Sequence, residues 1–247
     1  MDLDAVVNDA LKYPYQALEK VLILGAIPLG AMIIALVILL VLAFTGNEAA
    51  LAAGVVLSSI LIFISGLFVA GYYLRVMETT LAGEEGLPDF SNRGELLLNG
   101  LKLLVVQIVY LLIPTVVLVL CAWLVYSASV QSILMVMFLS GILVVLIFLL
   151  FSLFLTMASA HLAATGSIKE ALRFGVIQEM ISAIGWGDYL LWYLLMVVLV
   201  MVAVVLMAFI SVIPILGTFI AWILIQPYLE ILVARSVALA YLAVNMD

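Results

Sequence analysis

The sequence predicts an all-α integral membrane protein with six transmembrane helices in three helix-hairpin units, carrying cytoplasmic interfacial helices and both termini in the cytoplasm. Three observations predict it. Hydrophobic residues make up 69% of the 247 residues and charged ones only 9%, with a mean hydropathy of +1.46, so no soluble surface can be built from this chain. The apolar residues form unbroken runs such as Ile33 to Phe44 and Met196 to Ile210, which suit helices across a core of about 30 Å and lack the alternation of a membrane barrel. All eight Lys and Arg residues fall on one side once six spans are drawn.

The apolar stretches place spans at Val21 to Thr45, Leu51 to Met77, Leu103 to Tyr126, Gln131 to Ala160, Tyr189 to Ser211 and Ile215 to Ala240. Lys12 and Lys20 precede the first span. Arg75, Arg93 and Lys102 flank the second connection, Lys169 and Arg173 lie in the fourth, and Arg235 sits near the end of the last span. Short segments rich in Lys and Arg stay cytoplasmic, so the expected location is a multi-pass protein of the cell membrane. The opposite connections, 46–50, 127–130 and 212–214, are brief caps without a basic residue. The start, Met1 to Glu19, is acidic and mixed, unlike a cleaved signal peptide.

The chain reads as a single membrane domain over 1–247, with a weak repeat of period near 80 residues. Asp9-Ala-Leu-Lys-Tyr-Pro14, Glu95-Leu-Leu-Leu-Asn-Gly100 and Glu170-Ala-Leu-Arg-Phe-Gly175 share one pattern ahead of odd-numbered spans, giving units 2–87, 88–166 and 167–247. Each unit is expected to open with a helix lying flat at the interface. In the first, Leu3, Val6, Val7, Ala10, Leu11, Pro14 and Leu18 recur at helical spacing; in the second, Asn92, Glu95, Asn99 and Lys102 form a polar stripe. For the second unit, a cytosolic end of the span fits nearly as well.

The even-numbered spans are long. Leu51 to Met77 extends about 40 Å as a helix, against a core of about 30 Å. Small residues recur at four-residue spacing in them: Gly54 and Ser58, Gly66 and Ala70, Ser152, Thr156 and Ala160, Ala234 and Ala238. Small residues let helices approach closely where lipid supplies no hydrophobic drive, so these spans are expected to form a central bundle. Pro28, Pro114 and Pro227 should bend their spans. Trp186, Tyr189, Trp192 and Tyr193 read as an aromatic belt at the cytoplasmic boundary, and Trp123 with Tyr126 at the other.

Glu230 is the ionisable side chain placed deepest, about 22 Å along its helix from Ile215. Such a group costs at least about 2.5 kcal/mol unless paired or hydrated. Arg235, Arg75, Gln107 and Gln226 lie at similar depths, and these five form the candidate intramembrane polar or ligand site. Glu230 and Arg235 are about 140° apart around one helix, which makes Arg75 or water the better partner. The favoured reading is an ion pair pinning the second and sixth spans; a ligand or proton-coupled site is the alternative.

No catalytic residues or cofactor are expected. Cys121 and His161 fall at different depths, so no dyad forms, and the Asp residues sit in loops, termini and boundaries. One cysteine and one histidine exclude multi-thiolate and His-rich metal sites. The acidic balance, net charge -7, disfavours nucleic acid.

The segment Gly71-Tyr-Tyr-Leu-Arg-Val-Met-Glu-Thr-Thr-Leu-Ala-Gly83, then Leu87-Pro-Asp-Phe90, Gly94-Glu95-Leu96, Asn99-Gly-Leu-Lys102, Ile108-Val-Tyr110 and Ile113-Pro114 resembles the archaeal membrane-protein family called domain of unknown function 4013. The resemblance is strongest over roughly 65–115. It implies an archaeal cell membrane and no assigned activity. The chain departs from the family at Ser91, Asn92 and Arg93, where Asp and Trp are frequent, and at Glu78, where a second basic residue is frequent. Within the segment, Ser91 or Asn92 is expected to cap a helix and Phe90 to staple it to the membrane face.

Together these readings predict a non-enzymatic, lipid-interacting scaffold or complex subunit, whose partners are membrane lipid and a further protein or second copy. The alternative is a transporter or channel for a small or lipid-like molecule. It requires a hydrated cavity reaching Glu230, Gln226 and Gln107.

Overall fold

The computed structural model describes residues 2–130 and 132–245. They form helices α1 (Leu3–Lys12), α2 (Leu18–Phe44), α3 (Glu48–Leu81), α4 (Arg93–Ser127), α5 (Ile133–Thr165), α6 (Ile168–Ala171), α7 (Phe174–Ile184), α8 (Trp186–Ile210), α9 (Leu216–Ile220) and α10 (Gln226–Leu242), with a π-helical turn joining the last two. Six stretches of the described residues are long and apolar enough to cross a membrane. They correspond to the six expected spans. Gln131, at the expected start of the fourth, lies outside the described residues.

The elements ahead of the odd-numbered spans differ. In α1, Asp2 caps the N-terminus through its carboxylate, which accepts from the Ala5 amide at 3.1 Å, and Pro14 opens a 3₁₀ turn, Pro14–Ala17, before α2. On its apolar face Ala10 is buried in the core and Leu3, Val6 and Val7 pack against it. Before α8, α7 buries Ile177, Ile181 and Ile184 and exposes Gln178, Glu179 and Ser182. No separate helix precedes the third span, because nothing breaks the chain between Arg93 and Pro114 and α4 runs unbroken for 35 residues. Asn92 occupies its cap position with φ of 54° but makes no side-chain bond to the helix amides. Its amide instead donates to Glu95 at 2.7 Å.

Helices α3, α4 and α5 contain 34, 35 and 33 residues, or about 50 Å each, well beyond a core of about 30 Å. Their excess lies at the end carrying the Lys and Arg residues. There the core is concentrated: buried residues of α5 begin at Leu153 and those of α8 end at Met196. Helices α3, α5 and α10 each touch the other two at that end. The expected aromatic belt is corrected there as well. Tyr189 and Trp192 are buried, donating to the Leu153 carbonyl at 2.8 Å and to Ser236 Oγ at 2.9 Å, because facing polar groups offer them partners inside the bundle. Trp123 and Tyr126, at the other end, are 63% and 90% exposed.

Two helices meet backbone to backbone. A methyl built on Gly71 would lie 1.8 Å from the Leu96 carbonyl oxygen, and one on Gly100 would lie 1.9 Å from that of Leu67. The crossing of α3 and α4 therefore admits no side chain at either position.

Candidate ligand cavity between four helices

The last span owes its shape to Pro227. Pro227 has no amide hydrogen to donate to the Ile223 carbonyl, and the turn before it, Ala221–Ile225, widens to π geometry. Gly25 of α2 fits against this turn so closely that a methyl there would lie 2.3 Å from the Ile223 carbonyl oxygen. Trp222, Gln226 and Glu230 then follow at four-residue spacing along one stripe of the span. They face a cavity of about 280 Å³, whose other walls are Leu24, Gly25 and Pro28 of α2, Gly66, Val69, Ala70 and Tyr73 of α3, and Leu103 and Gln107 of α4. Gly66 and Trp222 are exposed, so the cavity opens sideways between α3 and the π turn.

Its polar groups converge on one carboxyl. Gln226 donates its amide to Glu230, one turn away, and Tyr73 lines the same space. Gln107 completes the polar wall. Among the described residues, no Lys, Arg or His forms an ion pair with Glu230.

Arg75 and Arg235, expected beside Glu230, lie outside the cavity. Arg75 sits two residues beyond Tyr73, about 200° around the helix, and points instead to the connection before α4. It donates to the carbonyls of Asp89 (3.1 Å) and Ser91 (2.5 Å) and pairs with Glu95 at 3.2 Å. Arg235 pairs with Asp9 of α1 at 2.7 Å, donates to Thr80 Oγ1 at 3.2 Å and the Glu84 carbonyl at 2.9 Å, and stacks over Tyr13 at 4.4 Å. The second and sixth spans are thus linked by an arginine, but through Arg235 and Thr80 rather than Glu230, with Asp9 adding α1. Of the five candidates, Glu230, Gln226 and Gln107 share the cavity.

The connection 82–92 is gripped from all sides. Tyr13 donates to the Gly86 carbonyl at 2.9 Å, Tyr72 to that of Pro88 at 2.9 Å, and Lys20 to that of Leu87 at 2.6 Å and to the Asp89 carboxylate at 2.8 Å. The Lys20 hydrogen bond and charge hold the Asp89 carboxyl below the usual range. Phe90 stacks on Tyr72, with centroids 4.7 Å apart, rather than on the membrane face. The conspicuous residues of Gly71-Tyr-Tyr-Leu-Arg75 therefore divide among three places. Gly71 makes the helix crossing, Tyr72 and Arg75 hold the connection, and Tyr73 lines the cavity with Glu230.

The family model described as Protein of unknown function (DUF4013) matches residues 54–212. The chain belongs to this family. The DUF4013 match takes in Tyr73, Gln107 and the Gly71–Gly100 crossing, whereas Gln226 and Glu230 follow it. The cavity is therefore formed jointly by the DUF4013 region and the segments on either side. No curated protein and no solved structure matches the chain.

Sequence reasoning passed over Tyr73 and Trp222 as site residues. Tyr73 stood inside the Gly-Tyr-Tyr motif, but only the fold distinguishes it from Tyr72. Trp222 carried a signal in its four-residue spacing from Gln226 and Glu230. His161 stands apart from the cavity, its Nδ1 2.9 Å from the Tyr241 hydroxyl. Cys121 is buried beside Gly141 at the far end of α4 and α5. Among the described residues, no group of three or more His, Cys, Asp or Glu could hold a metal.

Proposed function

We propose that this protein is a non-enzymatic component of the cell membrane that holds a lipid-like molecule between α2, α3, α4 and α10, serving as a lipid-interacting scaffold or complex subunit. The observation that carries the reading is the cavity with Glu230, Gln226, Tyr73 and Gln107 set into apolar walls and open at Gly66 and Trp222. Mostly apolar lining with a few converging polar groups is the usual build of a small-ligand site. A sideways mouth at a depth where lipid surrounds the helices admits an acyl or isoprenoid chain without passage through water. The basic end, with its gripped connection and its α1 and α7 faces, is the proposed cytoplasmic side and the place to seek a protein partner.

Native mass spectrometry from mild detergent tests this. Wild-type protein is expected to retain a lipid-mass adduct that the Gly66→Phe variant loses. A methyl at Gly66 meets nothing within 4 Å, so the Cβ of the new side chain is accommodated beside the mouth. Equal adducts in both proteins would contradict the reading.

Transport is the second reading, and one observation favours it: the cavity reaches Gln107, Gln226 and Glu230 together. The polar groups cluster around a single carboxyl rather than along a path, which supports holding over passage. Uptake of a fluorescent lipid into proteoliposomes, blocked by Gly66→Phe, would reverse that preference.

A further inference from the structure

The cavity lining holds one carboxyl group and no basic side chain. Glu230 accepts a hydrogen bond from Gln226, a neutral group, while the two nearby arginines are committed to Glu95 and to Asp9. Neutral donors stabilise a carboxylate less than a cation does, and the difference grows where water is scarce. The surroundings are apolar: Pro28, Val69, Leu103 and Trp222 line the same space. A volume of about 280 Å³ is several times the roughly 30 Å³ of one water molecule, so a bare monovalent ion would leave most of it empty. Trp222 at the mouth adds an aromatic face of the kind that attracts cations.

Resting on the reading of this cavity as a site for an amphiphile, we propose that its occupant is a lipophilic primary or secondary amine. Its ammonium pairs with Glu230, and its apolar chain passes Val69 and Trp222 and leaves between α3 and the π turn. The site thereby selects a cationic amphiphile over neutral or anionic ones of equal chain length.

The test uses the full-length protein in phosphatidylcholine nanodiscs at pH 7, titrated separately with dodecylamine, dodecanol and dodecanoate. Tryptophan fluorescence reports occupancy, and a Trp222→Phe protein supplies the background from the other tryptophans. Dodecylamine is expected to half-saturate the Trp222 signal at a concentration at least about ten-fold lower than dodecanol, as one ion pair in a poorly hydrated site implies, with dodecanoate weakest. Glu230→Gln is expected to abolish that preference. Equal half-saturation of amine and alcohol in the wild type overturns the amine assignment, and this comparison needs no variant. An amine preference that survives in Glu230→Gln also overturns it, since attraction to the protein's net negative charge would then suffice. Saturation by dodecanol without amine preference leaves the proposed function standing, whereas no saturable signal from any of the three removes both.

Discussion

Gly71 and Gly100 hold α3 and α4 at a single crossing: each lies against the backbone of the other helix, so that a methyl on either would fall within 1.9 Å of a carbonyl oxygen. Gly71→Ala and Gly100→Ala must each separate the helices, at a cost of about 3 kcal/mol, the upper end for forcing a methyl into a packed site. Gly141→Ala, where a methyl meets nothing within 4 Å, should be neutral or stabilise by about 0.5 kcal/mol through helix propensity. Unfolding in mixed micelles measures all three. Equal stabilities would mean that the crossing is looser than described.

Arg235 ties α1 to the last span through Asp9, with Thr80 and the Glu84 carbonyl as further acceptors. The guanidinium is buried and the carboxylate is half-exposed, so the pair lies between a surface and a buried ion pair. Asp9→Ala is expected to cost about 1 to 2 kcal/mol, and Arg235→Ala about 3 because Tyr13 also loses its cation. Amide exchange along α1 reads the same event, with protection at Val6 to Ala10 falling in both variants. Unchanged protection would detach α1 from the role given to Arg235.

Asp89 gives the pH dependence its sign. Lys20 lowers its carboxyl pKa in the folded protein, so the folded state binds fewer protons than the unfolded one. The contribution of the Lys20–Asp89 bridge is fully present above the usual carboxylate value near 3.8 and is lost as pH falls below it through the folded value. The melting temperatures of wild type and Asp89→Asn should differ by a constant amount from pH 7 to 5 and converge below about pH 3.8. A gap that widens on acidification would contradict the assignment.

Trp192 donates its indole N–H to buried Ser236 at 2.9 Å. Trp192→Phe removes the donor and leaves the serine hydroxyl buried, at a cost of about 1 to 3 kcal/mol. The double variant Trp192→Phe with Ser236→Ala should recover part of that loss, which thermal unfolding can measure. No recovery would place the cost in packing rather than in the hydrogen bond.

Hydropathy carried the six spans because a helix in lipid needs only length and apolar content to be legible. It did not carry what happens at the basic end. The stripe Asn92, Glu95, Asn99 and Lys102 has the period of an interfacial helix, yet it belongs to α4, where Asn99 is buried and donates to Glu78 at 3.1 Å. Periodicity alone does not distinguish a helix facing lipid from one facing another helix. Tyr189 and Trp192 failed for the same reason, as position along a span says nothing about which side finds a partner. Depth singled out Glu230, Gln226 and Gln107, which line one cavity, since hydrophobic surroundings make any polar residue conspicuous. Depth did not foresee the partner of Arg75, because rotation about the helix axis sends it to Glu95 and the connection and leaves Tyr73 in the cavity wall.

Photolabelling with a diazirine-bearing alkyl lipid, in the presence and absence of excess unlabelled lipid, tests the central claim that the cavity between α2, α3, α4 and α10 holds an amphiphile. Competed label is expected on the peptides containing Gly66 to Tyr73 and Trp222 to Glu230, and to disappear in Gly66→Phe. Label spread evenly over the exposed faces of α5 and α8, with no competition at Trp222 or Gly66, would contradict it.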